Sequence, residues 1–308
     1  MSGMDFGPLS GRTIGVVMRE ALRRGDKAVE TKRFGAASHA KGVKDDGGID
    51  FFTDADTAAQ KAIVTVLREN FPTFGLVGEE DGLRVECDRD AHGGHDLWFT
   101  IDPIDGTLAF MREQSHGIGS MIALVRNGVV VGAYVRDLCT HEVYGFRPGS
   151  TNAHRIMLTD EPHRLGINPE RPLIDQYLLL RDPPEDHDSE LILAMARKPK
   201  NGGAFKNYTM ANGSIGISMA QLWKGEVGAA VLKGRHNTPW DFAPVYGISR
   251  KLGFRFFSIV EGRERAACRF VAFHPSIVGT VEPVDHPLLV VHESRLSELD
   301  AWIATHDR

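Results

Sequence analysis

Cysteine is scarce: three residues in 308, Cys87, Cys139 and Cys268, are scattered without the spacing of a metal knuckle or a disulfide framework. That excludes zinc-finger and disulfide-stapled classes and points to a reducing compartment. Long apolar runs are missing too. No stretch of about 18 apolar residues occurs, so no membrane-spanning helix is expected. The N-terminal segment MSGMDFGPLSGRTIGVVMREALRRGDK has no uncharged apolar core of the signal-peptide kind. Charge of one sign is also lacking. The 36 Lys and Arg stand against 41 Asp and Glu, a net −5, which gives no general field for a polyphosphate and makes nucleic acid an unexpected partner. Repeats, low-complexity tracts, lipidation signatures and a P-loop are absent. A soluble cytoplasmic protein without a membrane partner is expected.

What is present is ordinary globular material, 42% hydrophobic and 25% charged, enough to bury a sizeable core. At roughly 150 residues per domain the length suggests two parts. The boundary is expected near residues 148–165, where Pro148, Gly149 and a loose polar stretch interrupt the pattern, giving 1–150 and 151–308. Ile14, Val17, Met18, Ala21 and Leu22 recur at helical spacing over about 11–25. The Gly- and charge-rich segment 34–50 reads as a mobile loop, from which Lys44 is able to reach a site or simply be solvated. Ala55, Ala58, Ala59, Ala62, Ile63, Val66 and Leu67 form a second helical stripe, ended by Phe71-Pro72.

Strands are expected at Phe74–Val77, Leu97–Ile101, Met121–Val125, Val129–Val135 and Val143–Arg147, with Asn127-Gly128 the signature of a tight hairpin. Further strands fit Tyr177–Leu180, Leu191–Ala194, Val227–Leu232, Phe254–Phe257, Phe270–Phe273 and Leu288–Val291. They alternate with helices near 213–224, 241–252 and 294–304, as in an α/β region. Arg181–Glu190 reads as an exposed loop.

The sharpest feature is Ile101-Asp102-Pro103-Ile104-Asp105-Gly106-Thr107, an apolar strand running into two carboxylates three residues apart. Pro103 stiffens the backbone and Gly106 permits an unusual turn. Convergent carboxylates repel, and a hard divalent cation resolves the conflict. A solvated Asp-Pro…Asp-Gly turn explains the same residues equally simply. The other acids are ambiguous singly. Gly78-Glu79-Glu80-Asp81-Gly82 follows a strand; Asp54 and Asp56 open a helix, where acids are common; Asp241, after Trp240, suits an N-cap. Together they form four acidic sites at strand ends or helix starts, where open α/β layers assemble ligand sites. The thirteen histidines show no paired ligand spacing.

The set Phe52-Thr53-Asp54-Ala55-Asp56, Gly78-Glu79-Glu80, Asp102-Pro103-Ile104-Asp105-Gly106-Thr107, Gly213-Ser214 and Trp240-Asp241 resembles the inositol monophosphatase family, in order and in spacing, over roughly residues 10–255. The resemblance implies an α/β (α+β) fold, a layered α-β-α-β-α sandwich with a six-stranded antiparallel region followed by a mixed sheet, and a homodimer. It implies Mg²⁺, two or three per site. Glu79, Asp102 and the Ile104 carbonyl would hold one ion, and Asp102, Asp105 and Asp241 a second. Asp56 would help place a weaker ion or its water, and Thr107 would orient the attacking water. The substrate side would fall on Ile104, Asp105, Gly106, Thr107, Gly213, Ser214 and Ile215, although Ser214 equally suits a helix N-cap.

The implied activity is hydrolysis of a small phosphorylated metabolite, nominally inositol monophosphate, by direct attack of water. Histidinol phosphate, fructose 1,6-bisphosphate and 3′-phosphoadenosine 5′-phosphate are alternatives. A different class is a non-catalytic or moonlighting partner of the transcription or RNA machinery. Three departures bear on the substrate. Leu232, Lys233, Arg235 and His236 stand where inositol-hydrolysing members place an acid, the segment Leu108–His116 is unusual, and Phe51-Phe52 replaces smaller aliphatics.

Overall fold

The computed structural model describes residues 9–33, 35–43, 49–157, 161–187, 189–234, 236–261, 269–279 and 281–306. The chain opens with helix α1 (Gly11–Glu30), strands β1 (Ser38–Val43) and β2 (Ile49–Thr53), and α2 (Asp54–Asn70). Next come β3 (Gly75–Gly78), β4 (Arg84–Val85), β5 (Leu97–Asp105) and the short α3 (Thr107–Met111). Then follow β6 (Gly119–Arg126), β7 (Val129–Asp137), β8 (Val143–Phe146), β9 (His154–Ile156) and β10 (Pro162–Arg164). The second half runs β11 (Tyr177–Leu180), α4 (Glu190–Ala196), β12 (Asn207–Met210), α5 (Ile215–Trp223), β13 (Ala229–Leu232), β14 (His236–Asn237) and α6 (Pro239–Lys251). It ends with β15 (Phe254–Val260), β16 (Arg269–Ala272), β17 (Glu282–Pro283), β18 (Leu288–His292) and α7 (Leu296–His306).

Successive side chains of a strand face opposite sides, and that alternation divides the interior. On β6, Ile122 and Leu124 join the core beneath α1 and α2, whereas Met121, Ala123 and Val125 join the central one. On β13, Ala230 and Leu232 face the central core, and Ala229 and Val231 face a third core with Ile192 and Met195 of α4 and Leu299 of α7. Helices α5 and α6 lie between the sheets: α6 contacts β5, β6 and β7 on one side and β15 on the other. The result is helix, sheet, helix, sheet, helix, the expected layered α/β sandwich.

Sheet composition differs from expectation. The first sheet has eight strands, in the order β10-β9-β8-β7-β6-β5-β3-β4, antiparallel but for the β3–β5 pair. Its extra width comes from β9 and β10, which lie across the interval read as a boundary. The second sheet, β12-β11-β13-β18-β15-β16, is mixed as expected.

Asn127 and Gly128 close the β6–β7 hairpin with φ of 48° and 75°, the primed turn that the dipeptide favours. Two expectations fail. Part of the segment read as a loop, residues 38–43, pairs with β2 as an antiparallel ribbon. Leu191–Ala194 lies in helix α4, not a strand: the Ser189 hydroxyl accepts from the Ile192 N–H (3.1 Å) and caps it. With Leu191, Ile192, Ala194 and Met195 all buried, its helical period is hidden in the sequence.

Phe99, fully buried on β5, stacks near Phe71 and Phe74. Phe99→Ala is expected to cost about 3–5 kcal/mol by leaving a cavity there, read as a lowered midpoint in urea unfolding.

Candidate metal centre

β5 carries Asp102 and Asp105 in the middle of the first sheet. Three residues apart on a regular strand, their side chains would face opposite sides. The register prevents that. Asp102 pairs with Met121 and Asp105 with Gly119, so β5 spends one residue more than β6 between them. This bulge, at Pro103-Ile104, re-aims the second carboxylate. Asp241 arrives from the first turn of α6, held by a hydrogen bond donated by the Thr238 hydroxyl. One carboxylate oxygen each from Asp102, Asp105 and Asp241 lies within 4.8 Å of the others.

Asp102 is 1% exposed, and its Oδ1 is buried with no hydrogen-bond partner among the described residues. An orphaned buried carboxylate oxygen is costly unless a cation or donor meets it. Asp105 is tied down instead: the Ser214 hydroxyl donates to it, as do the N–H groups of Ile215 (3.0 Å) and Gly216 (2.8 Å). It therefore closes the N-terminus of α5, where a negative charge is favoured. Glu79 follows β3, its N–H donating to the Ile101 carbonyl (3.2 Å). Its side chain accepts from Lys41 Nζ (3.0 Å), which also donates to the buried Glu80 (2.6 Å).

Burial pushes Asp102 well above the usual carboxylate range, and repulsion from Glu79, Asp241 and Asp105 adds to it. Burial also pushes Glu79 up to about 8; Lys41 opposes this, while Asp241 and Glu80 reinforce it. Asp105 rises to about 6 through burial and the Asp241 charge, restrained by Ser214, Arg181 and the Gly216 N–H. A group of acids that resists ionisation together is the electrostatic complement of a multivalent cation. All donors are oxygens, which suits a hard ion.

Asp56 is fully buried, and its pKa is raised by burial. Its Oδ2 accepts from the N–H (2.8 Å) and hydroxyl (2.5 Å) of Thr53, capping α2. Thr107 lies between Asp56 and the strand: its hydroxyl is 3.4 Å from Asp56 Oδ1 and 3.2 Å from the Ile104 carbonyl. Gly106 has φ of 94°, and a Cβ there would fall 2.4 Å from the Gly117 carbonyl and 2.7 Å from the Ser214 nitrogen. Direct contacts thus link Asp56 to Thr107, Thr107 to Ile104, and Asp105 to Ser214 and Ile215, with Gly106 against the Gly213–Ser214 backbone. Ser214 and Ile215 face Asp105 directly, and Leu232 is a buried core residue. Lys44, Arg235 and the side chain of His236 lie outside the described residues.

Sequence reasoning missed Lys41 and Arg181. Lys41 is the extra residue of a bulge between Ala40 and Gly42 on β1, which turns its side chain toward Glu79. Arg181, read as part of an exposed loop, donates to the Gly213 carbonyl (2.6 Å) and the Ser218 hydroxyl (3.3 Å). No local signal marks either contact, because both bridge distant elements. A second acidic group, Asp26, Glu30 and His141, also comes within 4.8 Å. There Arg136 already meets Asp26 at 2.6 Å, giving it a resident cation.

Residues 10–304, nearly the whole chain, match the model of the inositol monophosphatase family. The chain belongs to that family. Among curated inositol monophosphatase relatives it is 33% identical over 128 residues to an inositol-1-monophosphatase of Rhizobium meliloti, 42% of this chain and 45% of that one. It is 36% identical over 96 residues to the Nus factor SuhB of Xylella fastidiosa, 31% of this chain and 32% of the relative. These matches span less than half the length of either relative. The solved extragenic suppressor protein SuhB of Bartonella henselae superposes with a TM-score of 0.67 at 17% identity, covering 93% of this chain and 97% of that one.

Glu79 keeps its proton up to about pH 8 in the fold, against about 4.5 for an ordinary glutamate. The unfolded chain therefore loses that proton first, and the metal-free fold loses stability as pH rises from about 4.5 to about 8. Tm of the metal-free protein is expected to fall by several degrees across that interval in differential scanning calorimetry. Added Mg²⁺ is expected to restore most of it at the upper end, since a ligand of the native state stabilises by mass action.

Proposed function

We propose that this chain is a Mg²⁺-dependent phosphomonoesterase acting on a small phosphorylated metabolite, with inositol monophosphate as the nominal substrate. The observation that carries this reading is the convergence of Asp102, Asp105 and Asp241, with one Asp102 oxygen buried and unpartnered among the described residues. Glu79, Asp102 and the Ile104 carbonyl would hold one ion, and Asp102, Asp105 and Asp241 another, two or three ions in all. Bound divalent cations supply an acidified water and neutralise phosphoryl charge.

The chain's own residues do the rest. Asp56 fixes the Thr107 hydroxyl, and the two orient an attacking water and hold its proton. Ser214, Ile215 and Gly216 lock Asp105 before substrate arrives, so little reorganisation is left for the reaction. Gly106 and Thr107 open α3, where backbone N–H groups suit phosphate oxygens. Gly213, Ser214 and Ile215 line the side facing the alcohol. The protein works in the cytoplasm as a homodimer, and sedimentation velocity reads the second property directly.

Phosphate release from myo-inositol 1-phosphate, histidinol phosphate, fructose 1,6-bisphosphate and 3′-phosphoadenosine 5′-phosphate, with and without Mg²⁺, tests the reading. Mg²⁺-dependent release from one of them supports it. Mg²⁺ binding with no release from any shifts support to the second reading, a binding partner of the transcription machinery, which the relative named a Nus factor favours.

Asp102→Asn is expected to abolish Mg²⁺-dependent release while circular dichroism stays unchanged. Ser214→Ala, which removes the hydroxyl that holds Asp105 and caps α5, is expected to lower kcat/KM by roughly 10–100-fold. Full activity in Asp102→Asn would sink the assignment.

A further inference from the structure

A second concavity lies away from the acidic cleft, where the first two turns of α1 cross the outer face of β7, β8 and β9. It is a cavity of about 270 Å³, and no acidic side chain lines it among the described residues. Arg12 and Arg19 reach it from α1, and Arg147 and His154 from the sheet side. Arg12 and Arg19 have no ion pair among the described residues, and Arg147 only donates Nη1 to the Pro148 carbonyl (3.2 Å). Glu20, the acid next to Arg19 in the chain, is occupied by Arg23 and Arg24 at 2.7 Å each.

Tyr134 completes the arrangement. It is 4% exposed, it lines the cavity, and its hydroxyl makes no hydrogen bond among the described residues. The hydroxyl sits over Gly15, where a Cβ would come within 2.9 Å of it, so the helix leaves room for that oxygen at the cavity floor. Three like charges around one small volume repel one another unless an anion lies between them. A chain with a net charge of −5 concentrates unpaired positive charge here.

We infer that this cavity binds a compact dianion, the phosphate group of a small organic phosphate. Guanidinium forks on Arg19 and Arg147 pair bidentately with phosphate oxygens, and the Tyr134 hydroxyl donates to a third. Arg12 closes the solvent side. His154, held neutral by burial and by Arg147 and Arg164, donates through one ring nitrogen without needing to be charged. Phe146 and Ile156 form an apolar wall for the organic part of the ligand. Arginine is suited to this task because its charge persists and its planar fork is weakly hydrated.

Isothermal titration calorimetry of the full chain with inorganic phosphate and with phenyl phosphate, in EDTA, tests the assignment. Without metal, the acidic cleft repels anions, so heat reports the basic cavity. We expect binding in the natural chain and in Asp102→Asn alike, weakened at least about tenfold in Arg19→Gln/Arg147→Gln. Tyr134→Phe, which removes one oxygen and leaves the packing, is expected to weaken it severalfold. Unchanged affinity in the double variant, or no heat with the natural chain, overturns the site. Benzoate binding as tightly as phenyl phosphate overturns the dianion assignment.

Discussion

Mutual repulsion among carboxylates held out of water is the constraint on which the rest of this molecule turns. Asp102, Asp105 and Asp241 are brought within 4.8 Å on elements whose own packing fixes them. Left to themselves, such groups would separate or stay protonated. The fold opposes separation in two ways. A bulge on the central strand aims Asp105, and the cores above and below β5 leave that strand no freedom to relax. Stability comes from apolar layers, and part of it is lost in holding this charged arrangement together.

Support for the arrangement is distributed among positive groups and dipoles. α5 begins on Asp105 and α6 carries Asp241 in its first turn, so two middle-layer helices direct their N-termini at the cluster. Arg181 steadies the turn before α5 through the Gly213 carbonyl. That turn also docks on the Gly117 carbonyl through the Ser214 N–H (2.8 Å), with Gly106 pressed against it from β5. Three stretches of chain distant in sequence meet there with backbone against backbone, which is why side chains are missing from Gly106 and Gly213.

Much of this was readable from residues alone. The α2 stripe, the Asn127-Gly128 hairpin and the apolar strands of both sheets carry their own periodicity, and the Asp-Pro-Ile-Asp-Gly-Thr run marks where the chemistry sits. What could not be read depends on tertiary partners. The strand β1 has Gly and Lys instead of alternating apolar residues, and exists because β2 pairs with it. Helix α4 hides its period because it is buried on most sides. In the site, the carboxylates were legible as a motif, but the β5 bulge follows from pairing with β6. The reach of Lys41 and Arg181 follows from long-range packing. Ser214 was legible as a cap, although the carboxylate it holds lies 109 positions away.

The ammonium of Lys41 is a counterion on a tether. It rides on a ribbon that belongs to neither large sheet, and it reaches Glu79 and Glu80 from there. Any cation that takes Glu79 competes with it for the same oxygens. By thermodynamic reciprocity, an ion held through Glu79 and the Lys41 contact would each weaken the other to the same degree in free energy. An ion in the acidic site would therefore be felt at the Lys41 contact, on the small ribbon of β1 and β2.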